Sequence, residues 1–237
     1  MNSTIEFFGG QASLYDAYQR NCVPRYGEAV SVAAGWLDRL LIPKRGARII
    51  DLGCGTGNTT EELVRLFPDG IITCVDGSRE MIAVARTKLE NREMEFHCRD
   101  LTEPGWNEPL LHEPVDAVVS VFVLEHLPFD AYRKVLADIL NLMKPGGRLV
   151  TVEGFSGDTC QEIYFEEMAL WEQRAVQSGI VTREQLDDVK RLSSEKEVHY
   201  FAAVDDKKAW WAEAGLTDVD LIWYYYCIGV LVGRKPL

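Results

Sequence analysis

The stretch Ile49-Ile50-Asp51-Leu52-Gly53-Cys54-Gly55-Thr56-Gly57-Asn58-Thr59-Thr60 limits the choice of fold more than any other part of the chain. An apolar run ends in an acid, three glycines follow on alternate positions, and then come threonines and glutamates (Thr59, Thr60, Glu61, Glu62) of the kind that open helices. Glycine adopts backbone angles closed to other residues and lets a ligand come close to the main chain. A helix starting here would point its unpaired N–H groups at whatever lies over the loop. The pattern predicts a strand, a glycine loop and a helix that together cradle a cofactor. The plainer alternative is a loop that only turns strand into helix.

Spacing narrows the cofactor. A dinucleotide site asks for G-x-G-x-x-G and a phosphate loop for G-x-x-x-x-G-K-[ST]. Here the glycines run Gly53-x-Gly55-x-Gly57, with no lysine and with Asp51 on the strand itself. Asp51-x-Gly53-x-Gly55-x-Gly57 resembles motif I of the class I S-adenosylmethionine-dependent methyltransferases. The resemblance implies S-adenosylmethionine as cofactor and S-adenosylhomocysteine as product, with Asp51, Gly53, Cys54, Gly55 and Gly57 around the methionine part.

Later segments extend the likeness. Ile71 to Asp76 reads as a second buried strand ending in an acid. Asp76 lies about 20 residues past the loop, where a carboxylate accepts both hydroxyl hydrogens of a ribose. Gly77 follows, and Ser78 is placed to cap a helix carrying Met81, Ile82, Val84, Ala85 and Leu89. A third strand, Met94 to Cys98, leads to Asp100 and Leu101. In the family such an acid accepts from the adenine amine and the next residue flanks the ring. Val115 to Ser120 is the fourth strand and runs into Val121-Phe122-Val123-Leu124-Glu125-His126-Leu127, which matches the family's motif IV, where substrate meets the transferable methyl. By this resemblance Gly77, Met81 and Val121 join the cofactor-binding set.

The remaining chain fits around that core. Glu28 to Leu41 has the apolar stripe of a helix, and 102–114 is a proline-broken loop. Leu142 to Gly147 carries another family signature before a fifth strand at Arg148 to Glu153. Thr159-x-x-Glu162 and Thr182-x-x-Gln185 have the form of capping boxes opening two inserted helices. Trp210 to Leu216 reads as the last helix, and Leu221 to Tyr226 with Ile228 to Arg234 as a closing hairpin. The expectation is an α/β fold, a Rossmann-like seven-stranded sheet of the class I methyltransferase kind. Six strands are of parallel type with one antiparallel closing strand, with helices on both faces and a helical insertion before the last helix. Its single domain divides into an N-terminal cap (1–27, with no obvious long helix), a cofactor-binding core (28–153), the insertion (154–206) and a last helix with closing hairpin (207–237).

Charge and cysteine usage bound the function. A formal net charge of −12 argues against nucleic acid as the main partner, since that binding rests on neutralising phosphates. No run approaches the roughly 18 apolar residues of a membrane helix, and the first residues lack the layout of a signal peptide; a cytoplasmic, soluble protein without membrane contact is expected. The six cysteines form no C-x-x-C pair and join no histidine cluster at metal spacing, so reduced structural thiols and no metal are expected.

Methyl transfer from a sulfonium is an in-line displacement on an activated carbon, so the protein chiefly aligns donor and acceptor and excludes water. A base is needed only for an acceptor that arrives protonated. His126, after the fourth strand, is the first candidate base; the alternative is a histidine that only packs the next turn. His199-Tyr200, after the inserted helices, is a second candidate. Tyr15 and Tyr18 lie in a segment similar to the N-terminal cap of many methyltransferases and are candidate substrate-binding residues, as is Tyr200 beside His199. The flanks most resemble the carboxy-S-adenosylmethionine synthase group. By that resemblance Tyr26 would sit near the sulfonium and Arg191 would hold a carboxylate, within a homodimer formed through 155–205. Three activities stay open: methylation of a small-molecule acceptor, carboxylation of the cofactor itself, and a silent cofactor-binding subunit.

Overall fold

The computed structural model describes residues 3–10, 12–90, 94–195 and 199–237. Strands β1 (Arg48–Leu52), β2 (Ile71–Asp76), β3 (Glu95–Cys98), β4 (Val115–Val121), β5 (Met143–Gly154), β6 (Thr217–Tyr225) and β7 (Ile228–Arg234) form one sheet in the order β3-β2-β1-β4-β5-β7-β6. The first five are mutually parallel. β7 runs antiparallel to both β5 and β6, so six strands share one direction and β7 opposes them, as expected. Strand order reverses between β1 and β4, and open α/β sheets bind ligands beyond the carboxyl ends of their strands at such a switch point.

The helices are α1 (Ser3–Gly10), α2 (Ala12–Cys22), α3 (Tyr26–Leu40), α4 (Asn58–Leu66), α5 (Arg79–Lys88), α6 (Phe129–Leu142), α7 (Asp158–Gln177), α8 (Arg183–Glu195) and α9 (Val204–Glu213). Neighbouring strand residues point to opposite faces, and the core divides accordingly. Ile49, Val119, Val150 and Val232 pack under α3 and α4, whereas Ile50, Val118, Leu149 and Leu231 pack under α6 and α9. The same alternation puts Asp51 on the α4 face and Thr151 and Glu153 on the α6–α9 face, which decides their partners.

Several expectations change. The segment before residue 28 is helical over α1 and α2, which a mixed polar and aromatic pattern did not reveal. β5 starts at Met143, five residues before the expected Arg148, because Met143 pairs with Val115 ahead of an irregularity in the β4–β5 register. The Thr182–Gln185 capping box forms: Gln185 N–H donates to Thr182 Oγ at 3.1 Å and Thr182 N–H to Gln185 Oε1 at 2.7 Å. The Thr159–Glu162 box does not, since α7 begins at Asp158 with Gly157 at its N-cap and no side-chain cap bond. Ser78 caps α5 as expected, accepting from Met81 N–H at 3.1 Å.

Candidate active site

The glycine loop is tied down by its own strands. Gly53 and Cys54 donate N–H bonds to Val75 O at 2.7 and 3.0 Å, Gly55 N–H donates to Asp76 Oδ2 at 2.9 Å, and Gly57 N–H to Cys54 O at 2.8 Å. These loop amides are spent within the protein. The group set against the start of α4 is instead the carboxylate of Asp16 from α2. It accepts from Thr56 Oγ, from Asn58 Nδ2 at 3.0 Å and from Lys88 Nζ at 2.5 Å, and an anion at a helix N-terminus is favourable. Burial alone would raise this carboxyl, but the bonds from Lys88 and Thr56 and the charge of Lys88 hold it below its ordinary value.

What the loop offers outward is bare backbone. Gly53 has φ +74°, and a Cβ there would lie 2.2 Å from Val123 Cγ2. A Cβ on Gly77 would lie 2.5 Å from Ile5 Cδ1, because α1 packs on the turn after β2. Between these surfaces opens a cleft of about 690 Å³ including its open mouth. One end is lined by Ile5, Asp76, Gly77, Ser78, Met81, Arg99, Asp100 and Leu101, the other by Tyr15, Gly53, Gly55, Phe122, Val123, His126 and Leu127.

The first end fits a nucleoside. Each Asp76 oxygen accepts one backbone N–H, from Gly55 and from Ser78 at 2.8 Å. Gly77 N–H also favours the charged carboxyl, and the acceptor capacity that remains on a two-oxygen carboxylate suits vicinal hydroxyls. Burial raises this carboxyl while the bonds from Ser78 and Gly55 oppose the rise. Asp100 spends Oδ1 on Thr102, accepting from its N–H at 2.9 Å and its hydroxyl at 2.7 Å; its acceptor capacity on Oδ2 suits an amine, and Leu101 and Met81 offer apolar faces. Asp51 sits behind the loop, where Oδ2 accepts from Thr60 Oγ at 2.5 Å, burial lifts its pKa to about 7, and Oδ1 is a buried acceptor with no partner.

The second end is apolar with two polar rings. Phe122 holds the left-handed region at φ +53° and stacks on Tyr26 at 5.9 Å; strained non-glycine backbone of this kind clusters at functional sites. Tyr15 reaches the loop over Gly55, and burial, with Tyr26, Asp76, Glu125 and Asp16 nearby, raises its hydroxyl well above the ordinary value. His126 is buried on a single 3-10 turn, Leu124–His126.

Of the expected site residues, the cleft collects Tyr15, Gly53, Gly55, Asp76, Gly77, Met81, Asp100, Leu101 and His126. Tyr26, Asp51, Cys54, Gly57 and Val121 are outside its lining and brace it from behind. Three substrate candidates lie apart. Tyr18 packs among α2, α7 and α8, Arg191 is exposed on α8 with its guanidinium on Asp188, and Tyr200 rests its ring on Phe129. Ile5, Ser78, Arg99, Phe122, Val123 and Leu127 also line the cleft and were missed as site residues; only the step from β4 into motif IV could have signalled Phe122, Val123 and Leu127. Among the described residues no group of three or more His, Cys, Asp or Glu is arranged for a metal, and no helix is long and apolar enough to cross a membrane.

This fold and cleft resemble those of the class I S-adenosylmethionine-dependent methyltransferases, and S-adenosylmethionine is the cofactor the cradle fits. Residues 49–147 match a methyltransferase domain family. It is 29% identical over 171 residues to a malonyl-[acyl-carrier protein] O-methyltransferase of Bacillus cereus, a match covering 72% of this chain and 59% of that one. It is 35% identical over 136 residues to a carboxy-S-adenosyl-L-methionine synthase of Chromohalobacter salexigens, covering 56% and 49%. The fold is shared with the DhpI–S-adenosylhomocysteine complex at a TM-score of 0.66 and 20% identity, over 99% of this chain and 96% of that one. The chain thus spans about half to three fifths of these curated relatives.

The Asp16 clasp carries its own expectation. With α2 released from Thr56, Asn58 and Lys88, Asp16→Ala should speed dissociation of S-adenosylhomocysteine about tenfold, the effect of roughly 1.4 kcal/mol. Stopped-flow fluorescence reads this rate, and an unchanged rate would mean that α2 does not hold the ligand in.

Proposed function

We propose that the protein transfers the methyl group of S-adenosylmethionine to a small-molecule acceptor that meets it between Tyr15, Phe122 and His126. The observation that carries this reading is the meeting of an intact nucleoside cradle with an apolar, histidine-bearing end of the same cleft. The cofactor supplies a methyl carbon already activated by its positive sulfur. Asp76 holds the ribose hydroxyls and Asp100 the adenine amine. Phe122, Val123 and Leu127 exclude water from the reacting end. Tyr15, kept neutral by burial, donates a hydrogen bond that orients, while His126 takes the proton of an acceptor that arrives protonated. The intact cradle also speaks against a silent subunit.

Carboxylation of the cofactor is the second reading, favoured by the likeness to the Chromohalobacter synthase. Against it, the one cation among the described residues lining the cleft is Arg99, at the nucleoside end, and Arg191 lies outside the lining. A buried carboxylate without a charged partner is costly. Calorimetry with S-adenosylmethionine, S-adenosylhomocysteine and carboxy-S-adenosylmethionine separates the two. We expect the first two to bind in the micromolar range and the third at least about tenfold more weakly. Tighter binding of the carboxylated ligand would put the synthase reading first. A cytoplasmic location and a homodimer through 155–205 belong to the same proposal, and sedimentation as a monomer at micromolar concentration would remove the dimer.

A further inference from the structure

Residues 199–202, between α8 and α9, form a strap across the turn that carries His126. His199 lays its ring against His126, with centroids 4.8 Å apart and planes tilted by 56°. Tyr200 N–H donates to Glu125 O at 2.6 Å, and Ser156 N–H donates to Ala202 O at 2.9 Å. Phe201 stacks behind His199 at 5.3 Å and occupies the space a side chain at residue 154 would need: a Cβ on Gly154 would lie 2.3 Å from Phe201 Cε1. Within the turn, His126 N–H donates to Val123 O at 3.0 Å. The backbone of this short turn is therefore pinned from inside and from the strap, and the His126 ring is packed against a second ring.

We propose that His199 is a positioning residue for His126, holding its imidazole toward the cleft by ring packing. The inference rests on the reading of His126 as the proton acceptor. His199 is exposed to solvent on the side away from His126 and Phe201, and partial desolvation of its ring lowers its pKa to about 4. The other titratable groups around His126 are Glu125 on the same turn, Tyr15 and Asp76 across the cleft, and the Lys207–Glu153 pair behind Glu125.

The chain has four histidines, His97, His112, His126 and His199, so a histidine-labelled protein gives few enough NMR signals to follow each through a pH titration. In His199→Ala the His126 midpoint should move by about 0.5 unit or more, against the wild-type value. His199→Phe, which keeps a ring, should hold it within about 0.2 unit. Gly154→Ala, which displaces Phe201 without touching His199, should act like His199→Ala and covers the case in which that variant fails to fold. An unchanged His126 titration in His199→Ala and Gly154→Ala, or a His199→Phe protein that behaves like the alanine variant, would overturn the proposal. S-adenosylhomocysteine affinity should stay within about twofold throughout, since the strap is remote from the nucleoside end. Failure of the wild type to bind that ligand would sink the functional reading alone, because the histidine coupling is read without it.

Discussion

Asp76→Ala should lower the affinity for S-adenosylmethionine and S-adenosylhomocysteine by about 100-fold or more, corresponding to the loss of roughly 3 kcal/mol in charge-assisted hydrogen bonds. The size follows from a double duty. In the proposed function Asp76 accepts the ribose hydroxyls, and its two oxygens also anchor Gly55 N–H and Ser78 N–H at 2.9 and 2.8 Å. Removing it strips the ligand of its partner and unties the glycine loop from the end of β2. Asp76→Asn keeps one acceptor oxygen but turns an NH2 toward one of those N–H donors, so a loss of about tenfold is expected. Calorimetry on both variants, with circular dichroism to show that the fold persists, checks the ordering. Binding that survives Asp76→Ala would mean that the cleft does not hold a nucleoside at this acid.

The largest effect on stability should come from the charges buried between β5, α6 and α9. Glu153 accepts from Lys207 Nζ and Thr151 Oγ, each at 2.5 Å, and from Tyr132 Oη at 3.0 Å, while Trp211 Nε1 donates to Tyr132 Oη at 2.9 Å. Lys207 and Glu153 are almost wholly removed from solvent. Breaking such a pair by removing one partner costs about 3–5 kcal/mol, because the other charge stays buried. Lys207→Met should therefore lower Tm by on the order of 10 °C, and Lys207→Met with Glu153→Gln should recover part of the loss.

Glu125 beside this pair should act with the opposite sign. Burial moves its carboxyl from an ordinary 4.5 up to about 8, against the pull of Lys207, so the folded state holds a proton that the unfolded state releases. Its contribution to stability is complete below about pH 4.5 and is lost as the pH rises through about 8. Glu125→Gln has no such proton to lose. Relative to the wild type it should gain about 2–4 kcal/mol between pH 5 and pH 8 in urea unfolding. Parallel pH curves for the two proteins would show that Glu125 is not held neutral in the fold.

These partners differ in how far they could be foreseen. Asp51, Asp76 and the alternating glycines stand at intervals that local chemistry sets, since a strand end, a tight loop and a helix start occupy a fixed length of chain. The capping box at Thr182 was legible for the same reason. Glu153 read only as the end of a strand, although two-residue alternation along β5 already put it on the face of Leu149, and nothing near Lys207 in the chain points to its partner. The clasp on Asp16 left no local trace, because Thr56, Asn58 and Lys88 lie 40, 42 and 72 residues further on. Arg191 shows the converse: its chemistry suited a carboxylate clamp, but the rotation of α8 turns it to solvent.

By itself the sequence determined the sheet, its glycine cradle and the acids Asp76 and Asp100 that line the cleft, because each depends on residues close in the chain and on the period of strand or helix. Only the tertiary structure decided that the loop amides are satisfied internally, that Asp16 rather than a ligand faces the start of α4, and that His199 lies on His126. Those outcomes depend on how separate elements pack, and packing brings together groups whose separation along the chain carries no local signal.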